Sequence, residues 1–126
     1  MIRLESAVPQ FTVQDVVKTA EYYRDVLGFQ IAGYFGTPPV FAIVRRDEVQ
    51  FFFNLADQSE VRTGRARGAY DAYVHLTGVD NLAAELHERG AEIVEGPEDR
   101  VYEQRELVIR DCNGLIVTFG ENTRHT

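Results

Sequence analysis

Apolar positions in the first half of the chain alternate, then recur at helical spacing, then alternate again. Residues 7–13 alternate as a half-buried strand does. Asp15 stands where a helix N-cap belongs, and apolar residues then recur at steps of three and four as far as Gly28, a residue suited to the left-handed position that ends a helix. Three β-rich stretches follow, at residues 29–35, 40–46 and 49–55. The pattern predicts the element order β, α, β, β, β.

The second half of the chain repeats this order. The pattern predicts a strand at residues 72–76 and a helix from Val79 that closes at Gly90. Short strands are predicted at residues 92–94, 105–110 and 115–119, with a tight turn at 111–114. Because five elements recur at an offset of about half the chain, we interpret the sequence as two copies of one module within a single domain. The predicted bounds are about 5–56 for module one, 57–70 for a connection and about 71–121 for module two.

Strand alternation assigns the residues of each predicted strand to two faces. Apolar pairs such as Phe51 and Phe53 can pack under a helix, which leaves the residues between them on the opposite face. The residues predicted to face away from the helices, and therefore to bind a ligand, are Gln10, Thr12, Gln50, Phe52, Asn54, Asp71, Tyr73, His75 and Thr118. Amides, hydroxyls, an acid and aromatic rings suit non-covalent recognition of a small molecule. The alternative, that any one of them faces solvent or another subunit, stays open.

Composition narrows the class of partner. The net charge of −7 disfavours nucleic acid, because phosphates are repelled at long range. No apolar run approaches the ~20 residues that a membrane span needs, so we expect no membrane partner. The single cysteine, Cys112, cannot form an internal disulfide, which indicates a reducing cytoplasm. An acidic surface can attract a cationic ligand, although it also serves solubility.

The sequence contains no arrangement typical of nucleophilic catalysis. Ser6 and Ser59 have no nearby histidine, and Cys112 follows Asp111, whose charge disfavours a thiolate. The connection at residues 57–70 carries several arginines. We interpret it as a solvated linker, with an anion gate over the cavity as the alternative.

Several short motifs resemble those of one known family. They are the segments 13–16 (VQDV), 22–29 (YYRDVLGF), 79–82 (VDNL), 89–92 (RGAE) and 110–114 (RDCNG). Over about residues 8–121 the chain resembles the vicinal-oxygen-chelate superfamily, which includes glyoxalase I, extradiol dioxygenases, fosfomycin-resistance enzymes and bleomycin-resistance proteins. One departure is Cys112, where a proline is usual, and it loosens the turn slightly.

The resemblance implies a fold, an assembly and a cavity. The fold is α+β, with two tandem βαβββ modules forming a curled mixed sheet and the helices on its convex face. Short members of the family form homodimers, in which one subunit's first module and the partner's second enclose each small-molecule cleft. We therefore expect a homodimer.

The resemblance also implies where a divalent metal ion would bind. The family's ligand positions fall in this sequence at Val8, Phe52, Asp71 and Thr118. Three of these four residues are poor ligands, so we predict no metal and no other cofactor. A shifted alignment would place His75 at a ligand position, and an atypical site of Asp71, His75 and Glu103 is the alternative.

The function favoured by these features is metal-independent binding of the bleomycin-resistance type. The protein would sequester a planar or cationic ligand, such as an antibiotic, in dimer clefts, and this interpretation favours a binding protein over an enzyme without deciding between them. The first alternative is a metal-dependent lyase, isomerase or dioxygenase of the same superfamily with atypical ligands. The second is an interaction module that binds a protein on its sheet face.

Overall fold

The structure is a computed structural model that describes residues 1–56 and 70–124. The described chain divides into two compact units, residues 1–24 with 29–56 and residues 25–28 with 70–124. The arginines of the predicted connection lie outside the described residues. The predicted module bounds therefore stay predictions.

Within the described residues, two helices and eight strands follow one another in the predicted order. They are β1 (Gln10–Val13), α1 (Val16–Asp25), β2 (Gln30–Phe35), β3 (Phe41–Arg46), β4 (Val49–Leu55), β5 (Ala72–His75), α2 (Val79–Arg89), β6 (Glu92–Asp99), β7 (Gln104–Arg110) and β8 (Ile116–Asn122). Module one consists of α1 with β1–β4, and module two of α2 with β5–β8. The α+β class and the repeated βαβββ order are confirmed. In the described parts of the chain, neither helix has the length and apolar character that crossing a membrane requires.

Module one is an open four-stranded sheet packed on α1. The strand order is β1-β4-β3-β2, with β1 parallel to β4 and the other pairs antiparallel. Tyr23 of α1 is fully buried, and its ring centroid lies 5.6 Å from that of Phe51 and 5.0 Å from that of Phe53. The backbone N–H of Lys18 donates to Asp15 Oδ1 at 2.9 Å, so the predicted N-cap is confirmed.

Module two repeats the topology with the order β5-β8-β7-β6. Leu82 and Leu86 of α2 are buried, as are Leu107 and Val117 of the sheet. The helix starts after Gly78, which has no side chain to cap it. Glu121 replaces the cap, because its Oε1 accepts a hydrogen bond from Val79 N at 3.0 Å.

Strand β6 is longer than the sequence pattern predicts. The prediction ended the strand at Val94, but β6 continues to Asp99 through Gly96 and Pro97. A Cβ on Gly96 would lie 2.1 Å from the carbonyl oxygen of Glu106, so only glycine allows the two backbones to approach. The register of β6 against β7 shifts on either side of Glu95, which marks a bulge. Gly-Pro is typical of a turn, and this is why the prediction stopped too early.

Candidate ligand-binding site

The face of the module-two sheet opposite α2 carries a row of polar and aromatic side chains. Tyr73 is paired in register with Thr118, and His75 with Gly120. Gly120 is paired in turn with Glu106 of β7. Paired residues of neighbouring strands point to the same side of a sheet. Together these five residues form what we call the polar face of module two.

Glu106 is the centre of this face. Its side chain is fully buried, yet both carboxylate oxygens accept hydrogen bonds. Tyr73 Oη donates to Oε2 at 2.7 Å, and Tyr102 Oη donates to Oε1 at 2.7 Å. Arg100 Nε donates to Oε1 at 3.0 Å. Three charge-assisted donors offset the cost of removing a carboxylate from water. Glu106 with Tyr73, Tyr102 and Arg100 is called the Glu106 cluster below.

The hydrogen bonds of the cluster fix the protonation state of its members. Burial raises the pKa of Glu106, but the hydrogen bonds from Tyr73, Tyr102 and Arg100 outweigh it, and the net shift is downward from 4.5. Burial and the hydrogen bond to Glu106 raise the pKa of Tyr73 far above its ordinary value. The hydrogen bond to Glu106 also raises the pKa of Tyr102 to about 12. At neutral pH the carboxyl group is therefore ionised and both phenols keep their protons.

Gly120 provides the space that lets Tyr73 reach Glu106. A Cβ built on Gly120 would lie 2.0 Å from the Tyr73 hydroxyl oxygen and 2.6 Å from the ring carbon that bears it. Real Cβ atoms do not approach other atoms so closely. The missing side chain at position 120 is therefore a requirement of the cluster.

Thr118 contributes a buried hydroxyl beside Tyr73. Its side chain is fully buried, and Oγ1 has no hydrogen-bond partner among the residues that the structure describes. An unsatisfied buried hydroxyl costs about 1–3 kcal/mol. A polar group supplied by a ligand would recover that free energy.

Two further rings neighbour the ring of Tyr73. The ring centroids of Tyr70 and Tyr73 are 6.3 Å apart and inclined by 53°, and those of Tyr73 and His75 are 5.0 Å apart and inclined by 57°. Aromatic faces offer large contact areas to planar molecules.

Asp71 makes a contact within the sheet. Its Oδ2 accepts a hydrogen bond from Ile116 N at 2.8 Å, and Asp71 N donates to Ile116 O at 2.8 Å. At least one carboxylate oxygen thus holds the start of β5 beside β8. Its predicted role toward a ligand stays a prediction.

The five predicted residues of module one lie on the face opposite α1. Gln10 is in register with Phe52, and Thr12 with Asn54. Phe51 and Phe53 contact Tyr23 of α1, so their neighbours Gln50, Phe52 and Asn54 point away from the helix. The Phe52 ring packs on Phe41 at 5.3 Å. The predicted facing is therefore correct, while ligand binding by these residues stays a prediction.

Comparison with known proteins decides the family. The family model of the Glyoxalase/Bleomycin resistance protein/Dioxygenase superfamily matches residues 7–119. The chain belongs to this superfamily. No curated protein matches the chain.

Solved structures share the fold of this superfamily member at low sequence identity. TioX from Micromonospora sp. ML1 is 17% identical with a TM-score of 0.74, over 94% of this chain and 98% of TioX. A glyoxalase/bleomycin resistance protein/dioxygenase from Nocardioides is 18% identical with a TM-score of 0.74, over 100% of this chain and 88% of that chain. TnmS3, an antibiotic binding protein from Streptomyces sp. CB03234, is 20% identical with a TM-score of 0.69, over 96% of this chain and 99% of TnmS3. Identities this low establish the fold alone.

The residues at the superfamily's metal positions do not fit a divalent ion. The side chains of Val8 and Phe52 contain no donor atom for a metal. One carboxylate oxygen of Asp71 already accepts a hydrogen bond from Ile116 N. The alternative set of Asp71, His75 and Glu103 is not brought together, since no group of three or more metal-binding side chains forms within residues 1–56 and 70–124.

Sequence reasoning missed three members of the Glu106 cluster in this superfamily member, namely Glu106, Tyr102 and Arg100. Glu106 alternates with the buried Leu107 and Ile109, so the pattern predicts that its side chain lies on the sheet face opposite theirs. Tyr102 and Arg100 come from the turn before β7, and no periodicity relates them to Glu106.

Proposed function

We propose that this superfamily member binds a small planar or cationic molecule without a metal ion and sequesters it, as a bleomycin-resistance protein does. The observation that carries the proposal is the buried hydroxyl of Thr118, which lies beside the ring of Tyr73 and has no hydrogen-bond partner in the described part of the chain. A ligand that displaces the side chains covering this hydroxyl can hydrogen-bond to it, next to an aromatic surface. Sequestration needs affinity alone, so the poor metal ligands at the superfamily's positions are compatible with it.

Two further observations support this proposal. The fold is shared with TnmS3, an antibiotic binding protein, over nearly the whole of both chains. An antibiotic is therefore a suitable class of ligand to test first. The resemblance in the sequence favours a homodimer, in which the polar face of module two and the partner's module one enclose the ligand. We place the protein in the cytoplasm, because the exposed thiol of Cys112 suits a reducing compartment.

Binding of 9-aminoacridine, a planar cation, and of bleomycin tests the proposal. Thermal shifts and equilibrium dialysis of the purified protein should both show saturable binding. Tyr73→Ala should weaken binding of the dye about two- to thirteenfold, because an aromatic contact contributes about 0.5–1.5 kcal/mol. Tyr34→Ala is the matched control, since Tyr34 is a partly exposed ring on β2 of module one. No binding of either probe, or equal binding by the Tyr73→Ala variant, would contradict the proposal.

Metal content and assembly are tested separately. Metal analysis of the purified protein should find no stoichiometric ion. A stoichiometric metal that is lost in His75→Ala would favour the enzyme alternative. Sedimentation at micromolar concentration should show a dimer, and a monomer would contradict a cleft shared between subunits.

A further inference from the structure

We infer that the polar face of module two selects its ligand by charge, binding planar cations that carry N–H donors and rejecting planar anions. This inference rests on the proposed function and narrows it to one class of ligand. It comes from the direction of the hydrogen bonds around Glu106 together with the excess of negative charge there.

The Glu106 cluster presents acceptors to a ligand. Tyr73 and Tyr102 each have one O–H proton, and both donate it to Glu106 at 2.7 Å. Their phenol oxygens therefore have only lone pairs left for a ligand. An N–H group of a ligand can donate a hydrogen bond to these oxygens. A carboxylate or sulfonate would be repelled by their partial negative charge.

The one cation of the cluster is held by carboxylates at each of its three nitrogens. Arg100 Nε donates to Glu106, Nη2 to Glu95 at 2.6 Å, and Nη1 lies 3.4 Å from Glu98. Three carboxylates face one guanidinium, which leaves an excess of two negative charges. Glu95 and Glu98 are half exposed and screened by salt, but the charge of Glu106 is buried and less screened.

Thr118 is an independent indication that a ligand approaches this face. Its buried Oγ1 has no hydrogen-bond partner within residues 1–56 and 70–124, and Thr118 lies in register with Tyr73, two positions along β8 from Gly120, which pairs with Glu106. The hydroxyl oxygen can accept from the N–H donor of a bound cation. The rings of Tyr70 and Tyr73 add favourable contact with a delocalised cation.

Three acridines with the same ring system separate charge from shape. They are 9-aminoacridine, a cation at neutral pH, the neutral acridine-9-carboxamide and the anionic acridine-9-carboxylate. Equilibrium dialysis should show the cation bound most tightly and the anion at least tenfold more weakly. Glu106→Gln keeps the shape of the side chain and removes its charge, so it should reduce the preference for the cation several-fold.

Glu92→Gln is the matched control for net charge. It removes one negative charge from β6, at a side chain that pairs with Arg110 instead of Arg100. This variant should keep the preference of the wild-type protein. If Glu106→Gln does not fold, Tyr102→Phe provides the second test, because it removes one phenol oxygen from a half-exposed ring.

The outcomes distinguish the inference from the proposed function. Equal affinity for all three acridines overturns the inference and leaves small-molecule binding intact. Equal loss of preference in Glu92→Gln and Glu106→Gln also overturns it, because the effect would then belong to the net charge of the chain. Failure of all three acridines to bind overturns both.

Discussion

Replacing Gly120 by alanine tests whether Tyr73 depends on the space at position 120 to reach Glu106. The added Cβ would lie 2.0 Å from the Tyr73 hydroxyl oxygen, so the ring must leave its position. The backbone of Gly120 does not require glycine, because its φ lies outside the left-handed region. The substitution therefore removes one hydrogen bond without removing either of its partners.

The expected change follows from two opposing contributions. Loss of a 2.7 Å hydrogen bond to a charged acceptor costs about 1.5–3 kcal/mol. Alanine in the interior of a strand is more favourable than glycine by roughly 0.5–1 kcal/mol. We expect Gly120→Ala to lower the free energy of unfolding by about 0.5–2.5 kcal/mol, the range that remains when the gain is subtracted from the cost.

A double-mutant cycle with Tyr73→Ala isolates the steric effect. When the tyrosine ring is absent, the Cβ at position 120 meets nothing from it, and Gly120→Ala should become neutral or stabilising by roughly 0.5–1 kcal/mol. Urea unfolding of the four proteins, followed by circular dichroism, measures each step of the cycle.

Gly33→Ala is the control for this experiment. Gly33 lies in β2, a Cβ there would meet no atom within 4 Å, and its φ is not left-handed. It should be tolerated in the wild-type background. The reasoning is refuted if Gly120→Ala is as stable as the wild-type protein, or if it costs the same with and without Tyr73.

Three further predictions concern the same module. Glu106→Gln should lower the free energy of unfolding by about 1.5–3 kcal/mol at neutral pH. The folded-state pKa of Glu106 is lowered from 4.5, so the stabilisation by its charge is complete above pH 4.5 and is lost as pH falls through the folded-state value. The difference in free energy of unfolding between the wild-type protein and Glu106→Gln should therefore narrow when urea unfolding is measured at acid pH. A constant gap would contradict this account. The raised pKa of Tyr102, about 12, adds stability that is complete below pH 10 and disappears as pH rises through 12. Ultraviolet titration of phenolate, with Tyr102→Phe as the reference, should show Tyr102 ionising at lower pH in Glu106→Gln, and an unchanged titration would argue against the hydrogen bond. Asp111→Ala should cost about 1–3 kcal/mol by urea unfolding, because the buried Oδ1 accepts from two backbone amides of its turn. Asn122→Ala removes a similar hydrogen bond at an exposed position and should change the free energy of unfolding by less than about 0.5 kcal/mol. Equal losses in the two variants would contradict burial as the cause.

The sequence by itself determined the order of the elements and the sheet face on which the residues of β4 lie. Alternation with period two is a property of the extended backbone, so Phe51 and Phe53 could be assigned to the core and Phe52 to the opposite face before any contact was known. The same local geometry explains why the Asp15 cap was predictable. Neither inference requires knowledge of which distant residues meet.

Only the tertiary structure decided the chemistry of the polar face of module two. Tyr73 and Glu106 are 33 positions apart, and they meet because β8 lies between their strands with no side chain at Gly120. The extension of β6 past Gly96 likewise depends on the backbone of Glu106 beside it. Close approach between strands is a property of the assembled sheet, and no local pattern in the sequence encodes it.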